Sequence, residues 1–398
     1  MDHRPFISAT ALVLVLLMAV PAPARADDIN PWEFAYAGME HLYNLEYDQA
    51  IADYEQAVAR DPENVRFLNL LANAYLFREL YRLGLLDGNL YSSSNPFLKS
   101  KKPKKDAEQI KLARTTLSQV RKLCEARLKD NPEDTEALYA LGVVHSMEAT
   151  IAFTLDKKYM SALRSGTKAN RLHEKVLRID PEFHDAKLIT GVYQYVVGSL
   201  PWGVKLLAFF IGHRGDKARG TQLVKEAMLK GPLVGTDATV LLVLGYDREK
   251  QYPYARQLLE KLLEFYPRNY LYQLEIGRSF QREGNREEAL NVYLEVARKN
   301  ATGAPGYNKV PAGRLYFEIG TMQRAMGKLD QALQSFTRAG NAENTDGLVQ
   351  AFARLRRGNI LLQLKQTEAA RVAFERVAKM SYDKPKQQAL AELKKLGG

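Results

Sequence analysis

The side chains that could do chemistry in this sequence are few, and they do not converge on a reaction. His145 and Glu148 stand one helical turn apart, a spacing at which two ligands can share a metal ion. No third ligand accompanies them, so they read as neighbours on a helix surface. Cys124 is the single cysteine. It lies among apolar residues at helical spacing, can close no intramolecular disulfide and has no motif partner to activate it, so it reads as a small core residue. There is no G-x-S-x-G elbow, no Walker loop and no H-E-x-x-H pair. The residues support no enzyme, no cofactor and no metal. What they do offer is positive charge: 57 Lys and Arg against 46 Asp and Glu give +11 and a pI near 9.4. Such a balance attracts acidic protein segments, anionic lipid or cell-envelope polymers. It serves equally to keep a helical array soluble.

The elements that must carry that charge follow one pattern, plainest in residues 270–298, YLYQLEIGRSFQREGNREEALNVYLEVAR. Leu274, Ile276, Gly277 and Phe280 recur at helical spacing before the turn Glu283-Gly284-Asn285, and Ala289, Tyr293 and Ala297 recur every fourth residue after it. This predicts an antiparallel helical hairpin. The small Gly277 and Ala289 fall where two backbones must come close. Phe280 and Tyr293 fall where a neighbouring surface must be filled. One hairpin cannot bury its own apolar face, so it requires copies. Gly320, Gly327, Ala332, Phe336 and Ala339 repeat the offsets, as do Gly358, Ala370, Phe374 and Val377. Upstream, Tyr246, Ala255, Leu259, Leu262 and Pro267 fit, and so do Phe34, Ala37, Gly38, Ala50, Tyr54, Ala57 and Pro62. Pro62, Pro132, Pro181, Pro232 and Pro267 each close an apolar helix, which an ordinary bundle would not require. His173 falls where the other copies carry an aromatic residue, so it reads as core.

These residues resemble the tetratricopeptide-repeat family. The resemblance implies an all-α, right-handed superhelical solenoid of antiparallel helix pairs that binds a protein or peptide in its concave groove and catalyses nothing. The groove-facing positions of that family correspond here to Arg278, Arg282, Arg314, Phe317, Arg324 and Asn359. An arginine fork matches a carboxylate, so this wall would suit an extended acidic peptide. It is similar in kind to the family's carboxylate-clamp subset, whose own pattern is not matched residue by residue. The alternative is that these arginines pair with Glu275, Glu283 and Glu318 of the chain itself. A second, local set comprises Gly191, Ser199-Leu200-Pro201, Leu206-Leu207, Gly212 and Gly215-Asp216. It is similar to a segment of the eukaryotic tetratricopeptide family that includes the yeast inclusion-body clearance protein. That family's roles lie in protein quality control and lipid homeostasis. Tyr193 and Tyr195 depart from its pattern, so the resemblance implies a shared architecture more than a shared task.

In chain order, residues 1–26 read as a signal peptide: Arg4, an apolar run over 6–20 too short to span a bilayer, and the cleavage site Ala24-Arg25-Ala26. The mature chain would start at Asp27, exported to the periplasm or secreted in a bacterial cell envelope. An uncleaved anchor is the alternative. Export argues against nucleic acid as a partner. Residues 27–134 form N-terminal repeats around a basic Ser/Gly/Pro/Lys-rich loop at 78–105. Residues 135–235 form elongated, irregular repeats with an apolar insertion at 198–216. Residues 236–398 form regular repeats, interrupted by a Gly/Pro-rich loop at 300–311 and closed by a cap helix over 386–396. Pro201 breaks the apolar insertion into halves too short to cross a membrane, so it is expected to pack on the solenoid with Trp202 partly buried. The competing reading is a membrane-associated or lipid-handling protein that dips this insertion into one leaflet.

Overall fold

Seventeen α-helices and one 3-10 turn account for the regular structure of the residues that the computed structural model describes: 29–86, 104–199, 215–343 and 345–397. The expected export segment, most of the basic loop and the centre of the apolar insertion, Trp202 included, lie outside the described residues. The helices form eight antiparallel pairs and a cap. They are α1 (Pro31–Tyr43) with α2 (Tyr47–Arg60), α3 (Val65–Arg82) with α4 (Ala107–Asp130), and α5 (Thr135–Thr154) with α6 (Tyr159–Ile179). Then come α7 (Ala186–Gly198) with α8 (Lys217–Lys230), α9 (Gly235–Arg248) with α10 (Tyr252–Phe265), and α11 (Tyr270–Glu283) with α12 (Arg286–Ala301). The series ends with α13 (Ala312–Ala325) and α14 (Leu329–Asn341), α15 (Gly347–Gln363) and α16 (Thr367–Ala378), and the cap α17 (Asp383–Gly397). Each helix packs on the next, the solenoid arrangement in which every unit completes its neighbour's core.

Local chemistry sets these boundaries. Asn64, Asp106, Asp134, Asp216, Asn269 and Asn285 cap the helices that follow them, each side chain accepting a backbone N–H of the first turn. Several hairpin turns are made by one left-handed residue, among them Leu45, Lys250, Gly284, Gly327 and Lys365. Within a pair, a glycine of the first helix receives an aromatic ring of the second. A Cβ at Gly38 would lie 2.6 Å from Tyr54, at Gly142 2.3 Å from His173, at Gly277 2.5 Å from Tyr293 and at Gly358 2.5 Å from Phe374. This interlock is the physical content of the glycine-to-aromatic offset, and it confirms His173 as a core residue with no exposed surface.

Several boundaries shift from the sequence reading. Helix α3 runs on to Arg82 because Leu76, Glu79 and Leu80 are buried. Glu79 then staples the far side of the basic loop, accepting hydrogen bonds from Arg82 and, at 2.7 Å, from the Asp106 backbone N–H. The elongation in the third pair is absorbed by helices of 20 and 21 residues, with Ser165-Gly166 inside α6. Helix α5 is long and apolar enough to cross a bilayer, yet 67% of its apolar window is buried by its neighbours, as in a core helix. In the Gly/Pro-rich loop, Tyr307 is buried and its hydroxyl donates to Gln273 at 2.5 Å. The cap helix begins at Asp383, and Ala389 fills the buried position while Leu390 faces solvent.

The solenoid then meets itself. The α1–α2 turn touches the segment between α10 and α11, more than two hundred residues away. Arg268 donates to Glu46 at 2.8 and 2.9 Å, and its backbone N–H donates to Asn44 Oδ1 at 3.0 Å. Asn269 Nδ2 donates to the Tyr43 carbonyl at 2.7 Å, Lys309 Nζ to the Leu45 carbonyl at 3.2 Å, and the Tyr43 and Tyr266 rings lie 5.1 Å apart. The Tyr81 and Tyr270 hydroxyls add a contact at 3.0 Å. One hydrophobic core therefore joins the first repeat to residues 270–322.

Candidate functional site

Closure turns the concave side of the first six pairs into a lumen. Its wall comes mostly from the first helix of each pair: Tyr43 of α1, Leu70 and Phe77 of α3, Val143 and Met147 of α5, Leu188 and Val192 of α7, Val240 and Leu244 of α9, and Tyr272 of α11. The cavity measures about 510 Å³. It lies inside the range of roughly 300–1,000 Å³ typical of small-molecule sites, and like them it is apolar with a few convergent polar groups.

The arginines of this wall are paired. Arg66 forms a bidentate ion pair with Glu136, and Arg278 binds Glu275 at 2.9 Å. Asp185 Oδ1 accepts the Leu233 and Val234 backbone N–H groups at 3.1 and 3.3 Å. Asp237 is different. It sits in the first turn of α9, is partly exposed, lines the lumen, and has neither a cationic partner nor a backbone N–H on its carboxyl among the described residues. Burial pushes its carboxyl up to about 6, and the Tyr43 hydroxyl beside it offsets this only in part.

The residues expected on the groove divide into four groups. Arg278 and Arg282 are tied to acidic neighbours: Arg282 binds Asp247 at 2.6 Å and Glu275 at 2.8 Å. Burial works against the Arg282 charge, but Glu275 and Asp247 hold its pKa above the ordinary value. Glu283 pairs with Arg256 at 2.8 Å instead. Arg314 joins Arg278, Tyr81, Tyr270 and Glu318 around a cleft of about 300 Å³ beside the closure. Phe317 packs edge-on against Phe336 at 5.6 Å. Arg324 and Asn359 stand farther along the solenoid, beside Arg356, which sequence reasoning did not single out. Arg356 is half-buried; burial and then the nearby Arg324 charge hold its pKa below the usual guanidinium value. Among the described residues neither Arg324 nor Arg356 has an ion-pair partner, and Arg324 Nε is buried without a hydrogen bond. The signal for Arg356 was available, since it lies one turn before Asn359 on the same helix. Asp237 gave no such signal, because one acid in a first helical turn ordinarily serves only the helix dipole.

The other candidates are structural. Cys124 is fully buried, and burial pushes its thiol up to about 12, so it is inert. His145 Nδ1 lies 3.1 Å from Glu148, which also binds Arg121 at 2.7 Å. Burial acts to raise the Glu148 pKa, but these two partners hold it below the usual value. No cluster of three metal-ligating side chains occurs among the described residues.

Family models agree with this architecture. Tetratricopeptide-repeat family models match residues 37–81, 274–345 and 353–384. No curated protein matches the chain. Among solved structures, yeast Tom70 is similar at 13% identity and a TM-score of 0.39, covering 92% of this chain and 89% of its own. A tetratricopeptide repeat protein from Parabacteroides merdae is similar at 12% identity and a TM-score of 0.33, covering 82% of this chain and 98% of its own. The stretches at 37–81, 274–345 and 353–384 are tetratricopeptide repeats, and the helix pairs between them continue the same solenoid.

Proposed function

We propose that this protein is an exported, non-enzymatic scaffold of a bacterial cell envelope, and that its C-terminal repeats hold an acidic segment of a protein partner. Tetratricopeptide repeats generally mediate protein–protein interaction. The observation that carries the finer reading is the side-by-side placement of Arg324 and Arg356, half-buried and without a carboxylate partner among the described residues. Two guanidinium groups held together by packed helices pay their desolvation cost in advance and are ready to receive a carboxylate by bidentate hydrogen bonds. Asn359, one turn on, adds a donor and an acceptor for the peptide backbone. Arg278 and Arg282 are less available, because a ligand would first have to displace Glu275 and Asp247.

Titration of the mature chain with a glutamate-rich peptide by calorimetry tests the site. Reversing Arg324 and Arg356 to Glu is expected to weaken binding at least tenfold. Reversing the exposed Lys384 and Lys386 should weaken it only slightly, because exposed point charges are screened. Equal losses would reduce the effect to bulk charge. Export is tested separately by mass spectrometry of the envelope fraction, with a mature N-terminus at Asp27 expected.

A further inference from the structure

The lumen does not take part in the acidic-peptide reading, and its chemistry is of the opposite sign. Its wall is mostly apolar, and its arginines are occupied by Glu136 and Glu275. Of its two carboxyls without an ion pair among the described residues, Asp185 is held by the Leu233 and Val234 backbone N–H groups, whereas Asp237 has only the Tyr43 hydroxyl. Tyr43, Tyr139 and Tyr272 line the same cavity; burial raises each phenol pKa, and the Asp237 charge adds to the rise. An anionic site beside aromatic rings at the end of an oily cavity is complementary to an ammonium group carrying an alkyl chain. A fatty acid would bring a second carboxylate to a site that already disfavours one. We propose that the lumen binds a single-chain amphiphile with a cationic head, its nitrogen at Asp237 and its chain along Leu188, Val192 and Val240.

The pH dependence follows from the groups around this carboxyl. Tyr43 of α1, Tyr54 of α2, Tyr139 of α5, Tyr266 just after α10 and Tyr272 of α11 surround it, all phenols whose pKa values burial holds above the ordinary one. Elsewhere on the wall, Arg66 and Arg278 keep Glu136 and Glu275 as partners; burial raises the Asp185 carboxyl as well, against the Leu233 and Val234 backbone N–H groups that favour its charge, and burial holds His173 down at about 4. Asp237, with no backbone donor to favour its charge, is the carboxyl that burial places at about 6. A cation binds its ionised form, so affinity rises as pH rises through about 6 and falls below it.

The test is calorimetry of the mature chain with octyltrimethylammonium, octanol and octanoate, all below micellar concentration. Octyltrimethylammonium is expected to bind one to one at pH 7, at least tenfold tighter than octanol or octanoate, and to weaken about tenfold at pH 5. Asp237→Asn should remove that preference and its pH dependence while leaving octanol binding unchanged. Val240→Trp should block all three by filling the cavity. Octanoate binding as tightly as the cation would overturn the proposal, as would an unchanged affinity in Asp237→Asn or no binding of the cation at all. Should Asp237→Asn fail to fold, the head-group and pH series on the unaltered chain decide the matter alone.

Discussion

At the scale of residues, His173 sits fully buried on Gly142 with Nε2 3.2 Å from the Tyr139 carbonyl oxygen, and burial lowers its pKa to about 4. Between the ordinary histidine value and pH 4 the unfolded chain binds a proton that the native chain refuses. Native stability therefore falls on acidification through that window, by roughly 3 kcal/mol in all. Asp237 has the opposite sign: its folded pKa of about 6 lies above the unfolded one. It costs stability above pH 6, and that cost disappears as pH falls toward the ordinary carboxylate range. His173→Phe, which copies Phe336 and Phe374 at equivalent positions, should gain stability relative to the unaltered chain as pH is lowered from 7 to 4.5, read from urea midpoints. A difference that stays constant with pH would show that His173 is no acid liability. The glycine seats make a second residue-level prediction. Gly358→Ala forces a methyl against the Phe374 ring and should cost about 1–3 kcal/mol, whereas Gly166→Ala meets nothing within 4 Å and should gain about 0.5–1 kcal/mol from helix propensity.

At the scale of elements, the clasp between the α1–α2 turn and the α10–α11 segment hangs on Asn269, itself buried and also the N-cap of α11. Asn269→Ala removes that cap and leaves the Tyr43 carbonyl without its side-chain donor, a loss of about 1–3 kcal/mol. Amide exchange over residues 43–47 should accelerate at least tenfold, with α15 and α16 unaffected. Unchanged exchange there would mean that the remaining contacts, chiefly Arg268 with Glu46, hold the clasp alone. The contrast with the hairpins explains what the sequence could disclose. Gly277 and Tyr293 reveal their contact because both belong to one repeating unit, and the same offset recurs at Gly320 and Phe336. Asn269 carries no mark of Tyr43, since a repeat period encodes neighbours and says nothing about which distant turn the superhelix will reach. The groove arginines were half legible: Glu275 stands one turn before Arg278, but Asp247, the partner of Arg282, lies one repeat upstream. The lumen was not legible at all, because its wall is spread over six first helices and exists only once the clasp has closed them.

At the scale of the whole molecule, closure changes how stability is shared. In an open solenoid each unit contacts only its neighbours, so removing a terminal unit weakens the next one and little else. Here the first pair has two neighbours: α3 in sequence, and the residues around 266–310 in space. Deleting residues 29–64 would strip cover from Tyr270, Leu274 and Tyr307 and leave Arg268 without Glu40 and Glu46. The lumen would lose one of its walls at the same time. Amide exchange of the shortened chain should therefore lose protection at two separated places, α3–α4 and residues 266–310, while α15 to α17 keep theirs as an internal reference. Deleting α17 should behave as in an open array, weakening α15 and α16, on which it packs, and leaving the first pair untouched. Loss confined to α3 and α4 after the N-terminal deletion would show that the clasp adds nothing to the native state, and that the lumen is an open groove in solution. Loss at both places would establish that the first pair and the segment at 266–310 fold as parts of one closed unit, with α15 to α17 protected separately from it.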